Sequence, residues 1–153
     1  MKLFIGFLLL IISTFLGYIL SEKFNKRKIF YQRFQVFNNK LKNEIAFSKK
    51  TINELVLSLD LDNDFNKKLY AYIKENNTDE KINYIKNEEY EFFLNYLTSI
   101  GNGNVDSQLN FINNAEQEIK KYLSESIDNE KKYRILYIKI GFLIGLILLI
   151  VAM

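Results

Sequence analysis

The sequence has no cysteine and no histidine. Their absence excludes disulfides, thiolate or imidazole metal sites, cysteine nucleophiles, Ser–His hydrolysis and imidazole proton transfer. Catalysis would have to rest on paired carboxylates such as Glu88 and Glu89, and such a pair on a helix is more simply a solvated face. No catalytic, cofactor-binding or metal-ligating residue is expected, and the chain reads as a non-enzyme. Proline is also absent and glycine occurs six times in 153 residues. With so few breakers, long uninterrupted helices and an all-α fold are the expectation.

Two apolar runs stand at the ends. Leu3–Leu20 is 18 residues without a charge, roughly 27 Å of helix against a hydrocarbon core of about 30 Å. It exceeds an ordinary signal-peptide core, no small-x-small cleavage site follows, and Lys23, Lys26, Arg27, Lys28 and Arg33 come directly after it, so an uncleaved anchor is predicted. The second run, Ile135–Met153, carries Lys139 as its one charge. A lysine one turn inside a span can snorkel its ammonium to the headgroups. Five basic residues follow the first run, and Lys131, Lys132 and Arg134 precede the second. That excess puts the middle of the chain in the cytoplasm and both termini outside a cell membrane. The expected organisation is a first transmembrane helix at 1–22, a cytoplasmic helical bundle at 23–133 and a second transmembrane helix at 134–153.

The net charge of +3 conceals a segregation. Residues 21–50 hold nine Lys or Arg against two acids, whereas residues 51–130 hold sixteen acids against seven Lys. Basic side chains at the membrane ends suit anionic headgroups, which leaves the carboxylates of Asp60, Asp62, Asp64, Glu88 and Glu89 without a lipid role. They are the candidate surface for a basic partner, with a plain solvated face as the competing reading.

Within the middle, Phe30, Phe34, Phe37, Leu41 and Ile45 form one apolar helical stripe, with Arg33, Lys40 and Lys42 opposite. A break near Lys49 and Lys50 leads to a short helix over 51–59, opened by a capping box of Thr51 and Glu54. Asp60, Asp62 and Asp64 alternate as in a calcium loop, but Phe65 stands at the glycine position and Ala71 at the bidentate Glu position. An acidic turn capping a helix over 64–74 is expected instead, ended by Asn76, Asn77 and Thr78. A helix over 79–100 follows, with Tyr90, Phe93, Leu94, Leu97 and Ile100 as its stripe. Gly101–Asn104 then makes a turn, with Gly101 as C-cap and Asn104 as N-cap of a last long helix carrying Val105, Leu109, Ile112, Ile119 and Leu123. The aromatic residues fall mostly on apolar faces, which favours core packing over a nucleic-acid stacking platform. Ser13 with Gly17, and Gly141 with Gly145, place small residues four apart, so another helix can approach the spans closely.

Several segments, taken in order, resemble the stage III sporulation protein AB family. They are Ser13–Tyr18 in the first span, Glu44-Ile45-Ala46-Phe47 followed by Thr51–Leu55, the turn from Ile100-Gly101 through Asn104 to Gln108, and Gly141–Leu146 in the second span. Asn104 stands where the family usually has Asp, Thr51 where proline is common, and the stretch from Lys74 to Glu88 is shorter than usual. The resemblance implies a membrane subunit of the channel complex that joins mother cell and forespore. The family is similar in turn to the inner-membrane platform protein of type II secretion systems. That likeness implies other membrane subunits and a cytoplasmic ATPase as partners, besides the lipid bilayer, with no nucleic acid or small-molecule substrate. The alternative function is a membrane-tethered helical adaptor or sensor that binds a cytoplasmic signalling partner. A platform would be encoded beside an ATPase and other membrane subunits, and an adaptor would not.

Overall fold

The computed structural model describes residues 2–48, 51–75 and 81–152. Among the described residues six α-helices succeed one another: α1 (Lys2–Asn43), α2 (Ile52–Leu57), α3 (Asp64–Glu75), α4 (Asn87–Ser99), α5 (Val105–Asn129) and α6 (Ile135–Ala152). Wider π-type turns, Glu44–Ser48 and Glu130–Arg134, follow α1 and α5, and no strand occurs among the described residues. The fold is all-α. The helical runs Phe4–Phe47 and Val105–Val151 each contain a stretch long and apolar enough to cross a membrane.

The chain forms two compact units, Met1–Lys28 with Glu125–Met153, and Ile29–Ser124. In the first, the N-terminal part of α1 packs against α6. Contacts of Leu10 with Gly145, Ser13 with Gly141 and Phe24 with Tyr133 run in opposite directions along the two helices, so the pair is antiparallel.

The second unit has an aromatic core. Phe30, Phe34, Phe37 and Leu41 of the predicted stripe are all buried, and Ile45 is half-buried against them. Phe34 lies at the centre, with ring centroids 4.7 Å from Tyr96, 5.0 Å from Phe65 and 5.7 Å from Phe93. Edge-to-face and offset pairs of this kind each add about 0.5–1.5 kcal/mol beyond their area burial. α2 adds Leu55 and Val56, α3 adds Phe65 and Leu69, and α5 adds Ile112, Ala115 and Ile119.

Local signals explain most boundaries. Thr51 caps α2 through its hydroxyl to the Glu54 N–H, and the Glu54 carboxylate accepts from the Thr51 N–H at 2.9 Å, which completes the capping box. α3 begins differently from the expectation of an acidic cap. Asn63 accepts the Asn66 N–H at 2.9 Å, and the Asn66 side chain reaches back to the Asp60 carbonyl at 2.6 Å, so two amides form the cap. The helix expected over 79–100 is shorter. Its start at Asp79 lies outside the described residues, as do the break at Lys49 and Lys50 and the stop at Asn76–Thr78. Residues 81–86 are non-helical, because Ile82 and Ile85 are both buried through a turn around Asn83 and Tyr84. Helical periodicity begins only at Asn87.

Candidate functional site

Three groups of residues carry the functional expectations. The first is the small-residue seam of the first unit, called the membrane unit for its two apolar helices of membrane-crossing length. The Ser13 hydroxyl donates to the Gly141 carbonyl at 2.7 Å. A Cβ built on Gly17 would stand 2.7 Å from the Tyr137 carbonyl oxygen and 3.1 Å from the Gly141 Cα. One on Gly141 would stand 2.7 Å from the Ser13 carbonyl oxygen, and one on Gly145 2.8 Å from the Leu10 Cα. The helix that approaches these residues closely is therefore the other apolar helix of the same chain. In lipid, where apolar burial supplies little attraction between helices, backbone approach and a hydroxyl bond of this kind would do that work.

The second group is the basic flank. Arg27, Lys28 and Arg134 do not simply face outward. Arg27 is buried and pairs with Glu125 at 3.3 Å, Lys28 with Glu130 at 3.3 Å, and Arg134 with Glu130 at 3.0 Å and Glu22 at 3.8 Å. Lys23 instead lies over the Phe24 and Tyr137 rings at 5.1 Å, and Lys132 over Tyr133 at 5.2 Å. Lys26, Lys131 and Lys139 are exposed. Arg33 belongs to the other unit, where it meets Asp62 at 3.5 Å.

The third group is the acidic surface. Asp60, Asp62, Asp64 and Glu88 are exposed. Each of the last three has an attachment: Asp62 to Arg33, Asp64 as acceptor of the Tyr84 hydroxyl at 2.8 Å, and Glu88 to Lys86 at 3.9 Å. Glu89 is not on that surface. It is fully buried and accepts the Tyr31 hydroxyl at 3.0 Å. Its place in the first turn of α4 explains how the carboxylate is tolerated, since unpaired N–H groups and the helix dipole favour a negative charge there.

Further polar links join the helices of residues 29–124. Asn38, buried beside Phe37, accepts the Tyr96 hydroxyl at 3.0 Å and donates to the Ile112 carbonyl at 3.3 Å, joining α1, α4 and α5. Gln108 closes the α4–α5 turn: its Oε1 accepts the Gly101 N–H at 3.0 Å and its Nε2 donates to the Ser99 and Asn102 carbonyls. The Ser99 carbonyl at the end of α4 and the Asn102 carbonyl of the turn are thus met by one side chain from the start of α5. Gly101 has φ +83°, a conformation that L side chains rarely adopt. Asn104 caps α5 by accepting the Ser107 N–H at 2.8 Å. The spacing from Gly101 to Gln108 is this turn's geometry written in sequence. Burial holds the Tyr96 phenol far above its usual range. Burial does the same for Tyr84, with the hydrogen bond to Asp64 adding to it. On α5, hydrogen bonds from Lys120 and Lys42 hold Glu116 below the usual carboxylate range.

These features define an all-helical protein with two apolar helices of membrane-crossing length, packed as an antiparallel pair, and a helical segment between them. The sequence model described as stage III sporulation protein AB matches residues 2–153, and the chain belongs to that family. A role in sporulation follows from the membership. No curated protein and no solved structure matches the chain.

Proposed function

We propose that the protein is a membrane platform subunit of a sporulation-specific transport complex, the channel between mother cell and forespore, and that it organises partners without catalysing a reaction. Family membership over essentially the whole chain is the observation that carries this reading. Both units are compatible with a scaffold. Glycine contacts interlock the two apolar helices, and the aromatic core of residues 29–124 is cross-linked by buried hydrogen bonds. In this reading the central segment is cytoplasmic and both termini are extracytoplasmic, the orientation favoured by the exposed Lys26 and Lys131 and by Lys23 and Lys132 on their interfacial rings. Other membrane subunits and a cytoplasmic ATPase are the partners. Asp60, Asp62, Asp64 and Glu88 are the docking surface, steering a basic patch on one of them.

The test is co-purification of a tagged full-length chain from sporulating cells. Recovery of membrane subunits together with an ATPase is expected, and recovery of only a soluble signalling protein would replace the platform with an adaptor. A quadruple variant, Asp60→Asn, Asp62→Asn, Asp64→Asn and Glu88→Gln, should lose the cytoplasmic partner while still inserting in the membrane. Unchanged recovery with unchanged salt dependence would reduce that surface to a solvated face.

A further inference from the structure

Lys139 is the one charge in an otherwise uncharged run to the C-terminus, and the first span contains no carboxylate. Among the described residues no acid pairs with it. The structure also places Lys139 in a groove: Thr14 of α1 and Ile138, Phe142 and Leu143 of α6 line a cavity of about 360 Å³ beside it. A second cavity of about 370 Å³ lies against Glu130, Lys131, Arg134, Ile135 and the same Ile138. The two share Ile138, and their α6-side residues recur at steps of three and four, along one helix face. The groove therefore changes character along its length, charged at Lys131 and Arg134 and apolar at Phe142 and Leu143.

From this gradient we propose that the Lys131–Leu143 face of the membrane unit is a binding site for one anionic phospholipid. The phosphate sits between Lys131 and Lys139, and an acyl chain lies along Ile138, Phe142 and Leu143. Lys139 follows Arg134 by five residues, about 7.5 Å along a helix, so its extended side chain reaches back toward the headgroup level. Glu130 does not oppose an anion there, because Arg134 and Lys28 already pair with it. The net charge left on this face is that of the two lysines. Basic pockets beside membrane helices are a recurring form of anionic lipid recognition.

The site rests on α6 crossing the bilayer, which carbonate-resistant membrane association of the wild type reports separately. Full-length protein in detergent would be given phosphatidylglycerol or phosphatidylcholine, and retained lipid counted by native mass spectrometry. Selective retention of one phosphatidylglycerol is expected. Lys139→Gln should lower it about fivefold, the factor corresponding to the ~1 kcal/mol a basic residue contributes at an anionic surface. Lys120→Gln, the same charge change on α5 of the other unit, should leave it unchanged. Leu143→Trp keeps the charge, fills the groove, and should also release the lipid, while an unchanged melting temperature in phosphatidylcholine shows that the fold survives. Equal retention of both lipids, equal losses in Lys139→Gln and Lys120→Gln, or full retention in Leu143→Trp would each overturn the proposal. The Lys139 charge would then be left to a carboxylate of another chain.

Discussion

The two units of this chain solve the same problem, holding helices together, by opposite means. In the membrane unit the closest approach is made at Ser13, Gly17, Gly141 and Gly145, which are small, and backbones touch. In the unit of residues 29–124 the contact residues are Phe30, Tyr31, Phe34, Phe65, Phe93 and Tyr96, which are large. Under the proposed placement, with the apolar helices in lipid and residues 29–124 in water, the surrounding medium accounts for the difference. Water rewards the removal of aromatic surface, whereas lipid is as apolar as the side chains and rewards close approach. The membrane unit bonds the Ser13 hydroxyl to a helix backbone carbonyl, while the other unit buries Asn38 and Glu89 with phenol partners.

Substitutions that exchange the two strategies break this comparison most clearly. Phe34→Ala should cost about 3–5 kcal/mol, seen as a lowered unfolding midpoint by circular dichroism in detergent, with membrane insertion retained. A loss under 1 kcal/mol would mean that the aromatic core is not what holds that unit. Gly141→Leu reverses the logic, since a larger apolar side chain should weaken the membrane unit by roughly 1–3 kcal/mol. Spin labels at Leu8 and Ile147 should move apart, and an unchanged distance would show that the seam is not a close contact.

Asn38→Ala should cost about 1–3 kcal/mol, because the buried Tyr96 hydroxyl loses its acceptor and the tie to the Ile112 carbonyl is lost. Adding Tyr96→Phe should then recover part of the loss. Additive losses would mean that the pair is not coupled.

The smallest effect is one of pH. Because the fold accepts Tyr96 only as the neutral phenol, its contribution is whole below the unfolded tyrosine value near 10. That contribution falls as pH rises beyond it, by about 1.4 kcal/mol per pH unit. Above pH 10 the wild type should lose stability more steeply than Tyr96→Phe, and equal slopes would contradict the cause.

Signals that act within a few residues were legible in the sequence. The 30–45 stripe, the Thr51–Glu54 box and the Gly101–Asn104 turn each depend on neighbours along one turn or one helix face. Features set by distant partners were not. Glu89 reads as half of an exposed acidic pair, yet it is buried and accepts the Tyr31 hydroxyl from 58 residues away. Ile82 and Ile85 look helical by spacing, yet the core takes both through a turn. Likewise the small residues of the spans announce a close helix contact, but nothing local says that it is made within one chain. The pairing of Arg27 with Glu125 and of Arg134 with Glu22 is of the same kind. Opposite charges at matching depths of two antiparallel helices could have suggested it.

The most direct test of the account is a two-reporter topology measurement. Alkaline phosphatase is fused after Met153, and a fluorescent protein active only in the cytoplasm is inserted at Asn77, each in otherwise wild-type chains expressed in cells. Two spans with a cytoplasmic centre predict activity from both reporters. An inactive phosphatase together with a dark insertion would invert the chain in the membrane and contradict the platform reading, since its docking surface would then face away from any cytoplasmic ATPase.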